Sequence, residues 1–378
     1  MTVTLFGDWY AALAAICVGV LMPVAIRLRS VGYDRPGGVQ KVHISATSRL
    51  GGVIVVVGSL AVLGTGRGLG YHDVAAALPL ALAALPVVLM GLAEDLTGSV
   101  RPRYRMIAAV ASGALASYYA GGVIPRLDLP LVDTLLRNPW IALPLTWFMV
   151  AGACNAINLV DGANGLASGT AMIMFGGIAL AAGWSGDSRT LAEALTMMGL
   201  LAGFLVWNYP RGRIFLGDAG AYFVGFMYAE LSIRLIARND GISAWYVIML
   251  GAYPICDTLF AMYRRGVVRR RPLMAPDALH LHTLVFRRVA MPIERRTANP
   301  DRVRANARVA RRLWLHSLLC LAVAIVLHDV TPALWLGIAG YAFFYAHQYR
   351  LLIRFRRQRE QPWSGVERRR SVKRSTAP

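Results

Sequence analysis

Between residues 74 and 93 twenty consecutive positions carry no charge, and the run ends abruptly at Glu94-Asp95. A stretch of that length crosses a ~30 Å hydrocarbon layer as a helix, because a spanning backbone must satisfy its own polar groups. Comparable runs recur near 8–26, 50–66, 106–121, 139–154, 165–184, 194–208, 219–237, 242–263, 313–328 and 332–349. With the run at 73–93 they predict an all-α fold: a polytopic membrane bundle of about eleven transmembrane helices. Composition agrees. The 378 residues are 56% hydrophobic with a mean hydropathy of +0.49, yet the formal net charge is +20. Basic loops on an apolar bundle give that combination, whereas a soluble domain does not.

Basic residues sort by loop. Arg27, Arg29, Arg35, Lys41 and Arg49 follow the first span; Arg101, Arg103 and Arg105 follow the third; Arg211 and Arg213 follow the seventh. The ninth is followed by an arginine-rich segment, 264–312, and the last by a basic tail. The alternate loops hold few charges. By the positive-inside rule the rich loops face the cytoplasm, which puts the N-terminus outside and the C-terminus inside. Basic residues follow the first span rather than precede it, so it is expected to stay as a membrane helix and not to be cleaved. Cys17, Cys154, Cys256 and Cys320 lie in or beside spans with no CxxC pair, which reads as small buried hydrophobes. Two regions are expected: a membrane domain over 1–349, which includes the basic loop 264–312, and a basic, disordered cytoplasmic tail over 350–378. No nucleic-acid recognition fold accompanies that charge, so lipid headgroups are the expected partner of the basic loop.

The polar motifs all fall in loops of the basic side. Asn155-Ala-Ile-Asn158-Leu-Val-Asp161-Gly162-Ala-Asn164-Gly165 packs three amides and a carboxylate between two apolar runs. Burying such groups unpaired costs several kcal/mol each, so they must bind one another, a metal or a polar ligand. The spacing of Asn155 and Asn158 sets both on one helical face just before Asp161. Asn164 with Gly165 also suits a helix cap. Phe215-Leu-Gly217-Asp218-Ala-Gly220 sets a carboxylate at a helix start with close backbone access. Two such carboxylates on one side suit Mg²⁺, which takes one or two carboxylates plus phosphate oxygens and water. Glu94 and Asp95, adjacent acids, would accept a proton or hold a metal. His280 and His282 alternate in Pro276-Asp277-Ala-Leu-His280-Leu-His282, which sets both rings on one side of an extended segment. With no Cys or further His for zinc, imidazoles beside Arg264 and Arg265 fit a nucleotide diphosphate. Lys41, His43 and Arg49, ahead of Gly51-Gly52, fit a lipid phosphate at a helix N-terminus.

Together these motifs resemble the polyprenyl-phosphate N-acetylhexosamine-1-phosphate transferase family, from about residue 31 to 290. Asp34-Arg-Pro, Lys41-Val-His43 and Arg49-Leu-Gly51-Gly52 match its first cytoplasmic loop. Glu94-Asp95 matches its paired acids, Asn155 to Ala167 its Asn/Asp loop, Phe215 to Gly220 its Gly-Asp motif, and Asp277 to His282 its histidine motif. The resemblance implies an eleven-span bundle with the N-terminus outside, in the bacterial inner membrane. It implies Asp218 as a Mg²⁺ ligand (Mn²⁺ as substitute) with Asp161 close to metal and diphosphate. It implies Asp95 as the group that binds or deprotonates undecaprenyl phosphate, and His280 with His282 on the diphosphate of a UDP-N-acetylhexosamine. Homodimers are also in keeping with the family. Glu94 stands where many members have Asp, Asn164 where several have an acid, and Thr283 where a third histidine is common. These departures resemble the surface-polysaccharide branch rather than the peptidoglycan enzyme. The rival reading is a membrane transporter or lipid flippase with a cytoplasmic-side anion site, but transporters place ionisable groups near mid-membrane, not at span ends.

Overall fold

The computed structural model describes residues 2–27, 33–34, 47–68, 74–270, 272, 279–297 and 301–359. Lys41, His43 and Asp277 lie outside them. Among the described residues the chain is mainly helical, with one antiparallel pair of two-residue strands, β1 (Tyr33–Asp34) and β2 (Thr47–Ser48). In order come α1 (Thr2–Arg27), α2 (Gly51–Gly68), α3 (Val74–Ala83), α4 (Leu85–Thr97), α5 (Pro102–Tyr119), α6 (Pro130–Leu136), α7 (Pro139–Val160) and α8 (Leu166–Trp184). They are followed by α9 (Ser188–Asn208), α10 (Gly217–Arg238), α11 (Ala244–Leu250) and α12 (Ala252–Tyr263), then α13 (Leu281–Val285), α14 (Met291–Glu294), α15 (Arg302–Val326) and α16 (Thr331–Arg359).

Among the described residues four helices, α7, α8, α9 and α15, are long and apolar enough to cross a membrane. The run predicted at 242–263 forms a fifth candidate, broken at Gly251 and bent by 74° between α11 and α12. Pro254 sits in the first turn of α12, where it has no N–H to offer the carbonyl of Leu250. The uncharged run 74–93 likewise divides at Ala84, with a proline in the first turn of α4. Other ends depart from the hydropathy pattern. Helix α7 continues to Val160, so Asn155 and Asn158 belong to its final turns. Helix α15 begins at Arg302, capped by Asp301, so the last part of the basic segment is continuous with the apolar run at 313–328.

Helix α10 is the centre of the bundle. It is buried along nearly its whole length and packs against α7, α4, α2, α8, α5 and α9. Small residues make this possible, as in membrane helix pairs generally. A Cβ on Gly220 would strike the Cα of Gly52 on α2, and one on Gly225 would strike Cys154 on α7. The start of α10 is tied to α2 through backbone bonds: Gly51 N–H donates to the Phe215 carbonyl (3.1 Å) and Gly52 N–H to that of Leu216 (2.8 Å). Phe215 N–H in turn donates to the Ser48 carbonyl (2.8 Å). These bonds set Arg49 beside the first turn of α10.

Candidate active site

Asp218 occupies that first turn. Its Oδ1 accepts from Asn158 Nδ2 (3.1 Å), and its Oδ2 pairs with the guanidinium of Arg105 on α5. Gly217 before it has φ +72°, and a side chain there would collide with the Arg49 carbonyl and the Asp95 carboxylate, so only glycine fits. Asp95 is buried at the end of α4. Its Oδ1 accepts from the N–H of Asp218 (2.8 Å) and its Oδ2 from that of Ala219 (2.9 Å). The carboxylate therefore caps a helix from another element, satisfying donors that a helix start leaves free. Burial pushes the Asp95 carboxyl up to about 7 against the pull of the Ala219 N–H, and the charge of Asp218 adds to the rise. Both oxygens accept from the first turn of α10, and Asp95 is absent from the lining of the cavity described below.

Asp161 is the C-cap of α7. Burial, together with the neighbouring charge of Asp218, raises its carboxyl to about 7 against the pull of Arg49. Asn155, Asn158, Asp161, Asp218, Arg49 and Arg105 all line one cavity of about 960 Å³, and Glu94 joins them. Glu94 Oε2 also accepts from Val100 N–H (2.7 Å), which fixes the turn after α4. Asn164 lines the same cavity but is committed locally: its N–H donates to Asn306 Oδ1 (2.7 Å) and its Nδ2 to the Pro210 carbonyl (3.0 Å).

His280 and His282 line the cavity from the far side of the sequence. Only His280 is extended; His282 already lies in the first turn of α13. Their rings are nonetheless parallel, 5.7 Å apart with 7° between planes. His282 rests on Gly162, where any Cβ would overlap its imidazole, so the Asn/Asp loop and the histidine segment touch. Burial, then the neighbouring His280, lowers the His282 imidazole to about 4, so it is neutral near pH 7. Arg265 lines the cavity. Arg264 does not belong to that lining; its Nη1 donates to Tyr349 Oη (2.6 Å) and its guanidinium lies over the Tyr349 ring. Two residues outside the sequence-derived set belong here. Arg105 was visible only as one of a basic trio, and Asp257, bonded to His280, only as a lone acid in an apolar run.

Beyond this polar end the lining is apolar, including Phe148, Met149, Ile233, Ile236, Val247, Ile248, Leu259 and Met262. Among the described residues no group of three or more His, Cys, Asp and Glu forms a ready metal cage. Two carboxylates, Asp161 and Asp218, on a shared cavity wall fit a cation of the Mg²⁺ type, whose remaining positions go to phosphate and water.

Fold and cavity together define a multi-pass membrane protein with a charged site at one end of a long apolar groove. A family described as glycosyl transferase family 4 matches residues 77–236. Among similar proteins is a Bacillus subtilis (strain 168) protein named "Probable undecaprenyl-phosphate N-acetylglucosaminyl 1-phosphate transferase", 29% identical over 275 residues, 71% of this chain and 72% of that one. A decaprenyl-phosphate N-acetylglucosaminephosphotransferase of Mycobacterium leprae (strain TN) is 28% identical over 306 residues, 74% and 75% of the two chains. A phospho-N-acetylmuramoyl-pentapeptide-transferase of Synechococcus sp. (strain JA-3-3Ab) is 28% identical over 287 residues, 71% and 80%. These comparisons support the polyprenyl-phosphate N-acetylhexosamine-1-phosphate transferase family for this chain.

Proposed function

We propose that this protein transfers N-acetylhexosamine-1-phosphate from a UDP-sugar to undecaprenyl phosphate, releasing UMP, as the first step of a cell-surface polysaccharide. An oxygen of the lipid phosphate attacks the β-phosphorus of the nucleotide sugar. The bond from that phosphorus to the bridging oxygen breaks, and UMP leaves with the electron pair. The observation that carries this reading is the two-ended cavity: carboxylates, amides, imidazoles and guanidinium groups at one end, apolar side chains along the rest. Such a groove suits a reactant that is a phosphate on a long hydrocarbon and another that is a water-soluble diphosphate.

Both reactants are anions, so the site must neutralise charge before it can align them. Arg49, Arg105 and Arg265 supply fixed positive charge, and the two histidines supply ring nitrogens for the donor diphosphate. Asp161 and Asp218 would hold Mg²⁺, which when bound would polarise the diphosphate and stabilise charge on the leaving phosphate. The lipid phosphate is largely ionised near pH 7, so alignment matters more than a base. Asp95 acts in this reading through Asp218, by holding the start of α10.

In detergent with Mg²⁺, UDP-N-acetylglucosamine and undecaprenyl phosphate, the purified protein is expected to release one UMP per lipid diphosphate sugar formed. Asp218→Asn is expected to lower that rate at least 100-fold, and turnover retained by the variant overturns the metal assignment. UMP formed without lipid phosphate overturns the transferase reading itself. We further propose the eleven-span topology in a bacterial inner membrane with the polar end of the cavity at the cytoplasm. Cysteines placed at the exposed Arg213 and Arg137 should then react with an impermeant reagent from opposite sides, the first from the cytoplasm. Labelling of both from one side contradicts that orientation.

A further inference from the structure

Asp257 is the one charged residue between 242 and 263, in a run otherwise fit for a membrane interior. An ionisable group there is costly unless it is paired and used. It is 2% exposed and fully engaged. Its Oδ2 meets Nδ1 of His280 at 2.8 Å, and its Oδ1 accepts from the Leu281 N–H (3.1 Å) and from the Tyr345 hydroxyl (2.6 Å). Asp257 is absent from the cavity lining, whereas His280 is part of it. One carboxylate thus holds the ring of His280 and caps the short helix that follows. A carboxylate on Nδ1 keeps a proton there and leaves Nε2 as the nitrogen free to meet a ligand.

The last helix completes the arrangement. Tyr345 and Tyr349 stand one turn apart on α16. Tyr345 secures Asp257, while Tyr349 donates to the Leu279 carbonyl (3.1 Å) just before His280. The histidine segment is therefore gripped from α12 on one side and α16 on the other. Neither grip falls within the region matched by the family, residues 77–236.

We infer that Asp257 is a positioning residue that fixes the tautomer and aim of His280 toward the donor diphosphate, and that Tyr345 fixes Asp257 in turn. This rests on the proposed transferase reaction for its substrate and on the hydrogen bonds alone for its geometry. Three measurements on the full-length protein in detergent test it. Steady-state kinetics of Asp257→Asn should show KM for UDP-N-acetylglucosamine raised about tenfold, with KM for undecaprenyl phosphate within twofold of wild type. Tyr345→Phe, which removes one hydroxyl only, should raise the donor KM about threefold, and it carries the test if the first variant fails to fold. Ring-nitrogen NMR of ¹⁵N-histidine-labelled protein, with His280 identified by its loss in His280→Asn, should show Nδ1 protonated in wild type. It should show a mixture of tautomers in whichever of the Asp257 and Tyr345 variants folds. A donor KM and a His280 tautomer that both stay at wild-type values overturn the inference. The NMR readout needs no substrate, so an inactive wild type counts against the transferase reading and leaves the tautomer to decide the role of Asp257.

Discussion

His282 shows how much of this site is decided by surroundings rather than by residue type. Its ring lies between His280 and Gly162, more than nine-tenths buried, and its Nδ1 has no partner among the described residues. Burial holds the folded ring neutral down to about pH 4, whereas an unfolded chain takes up that proton near the ordinary value of 6.5. Between those limits the unfolded state binds more protons, so stability rises with pH and is lost as pH falls from 6.5 to 4. The contribution reaches up to about 3 kcal/mol at the acid end. Thermal unfolding of wild type and His282→Asn from pH 7.5 to 4.5 should show the wild type losing stability more steeply. Parallel curves contradict the assignment. The sequence pattern was enough to single out Asp161, Asp218 and both histidines as polar groups that needed a purpose. It did not single out Arg105 or Asp257, because each looks ordinary until its partner, Asp218 or His280, is brought from more than twenty residues away.

At the scale of elements, the start of α10 is where the fold and the site become one structure. Helix α4 delivers Asp95 to the first N–H groups of α10, β2 and α2 pair with residues 215–216, and α7 delivers Asn158 to Asp218. Asp95→Ala leaves the Asp218 and Ala219 N–H groups without their acceptor. At about 1–3 kcal/mol for each buried donor left unsatisfied, this variant should melt clearly below wild type, with Asp95→Asn between them. An Asp95→Ala protein that melts with the wild type but loses turnover would instead make Asp95 a group that meets substrate. Hydropathy located the apolar runs well, but not the ends of the helices. Helix α7 carries Asn155 and Asn158 past the apolar run because the amides face the cavity and Asp218, not lipid. The breaks at Ala84 and Gly251 follow from prolines that a hydropathy average does not register.

For the whole molecule, the essential feature is convergence. Residues from α4, α5, α7, α10 and α13 meet at one end of a cavity whose other walls are apolar, and the basic loops gather on one predicted side. That the motifs share a side was readable from charge, since the positive-inside pattern assigns loops without reference to their chemistry. That they touch was not, because contact depends on the close packing of α10 with α2, α4 and α7, which glycines permit. The most direct measurement of convergence is a cross-link between two of its parts. In a background with the four native cysteines replaced, Gly162→Cys with His282→Cys should form a disulfide under mild oxidation in membranes, holding together two fragments cut at a protease site introduced between them. Failure of that pair to cross-link, while a control pair at Ser243 and Thr331, whose hydroxyls lie 2.6 Å apart, does so readily, would contradict a single site built from the Asn/Asp loop and the histidine segment.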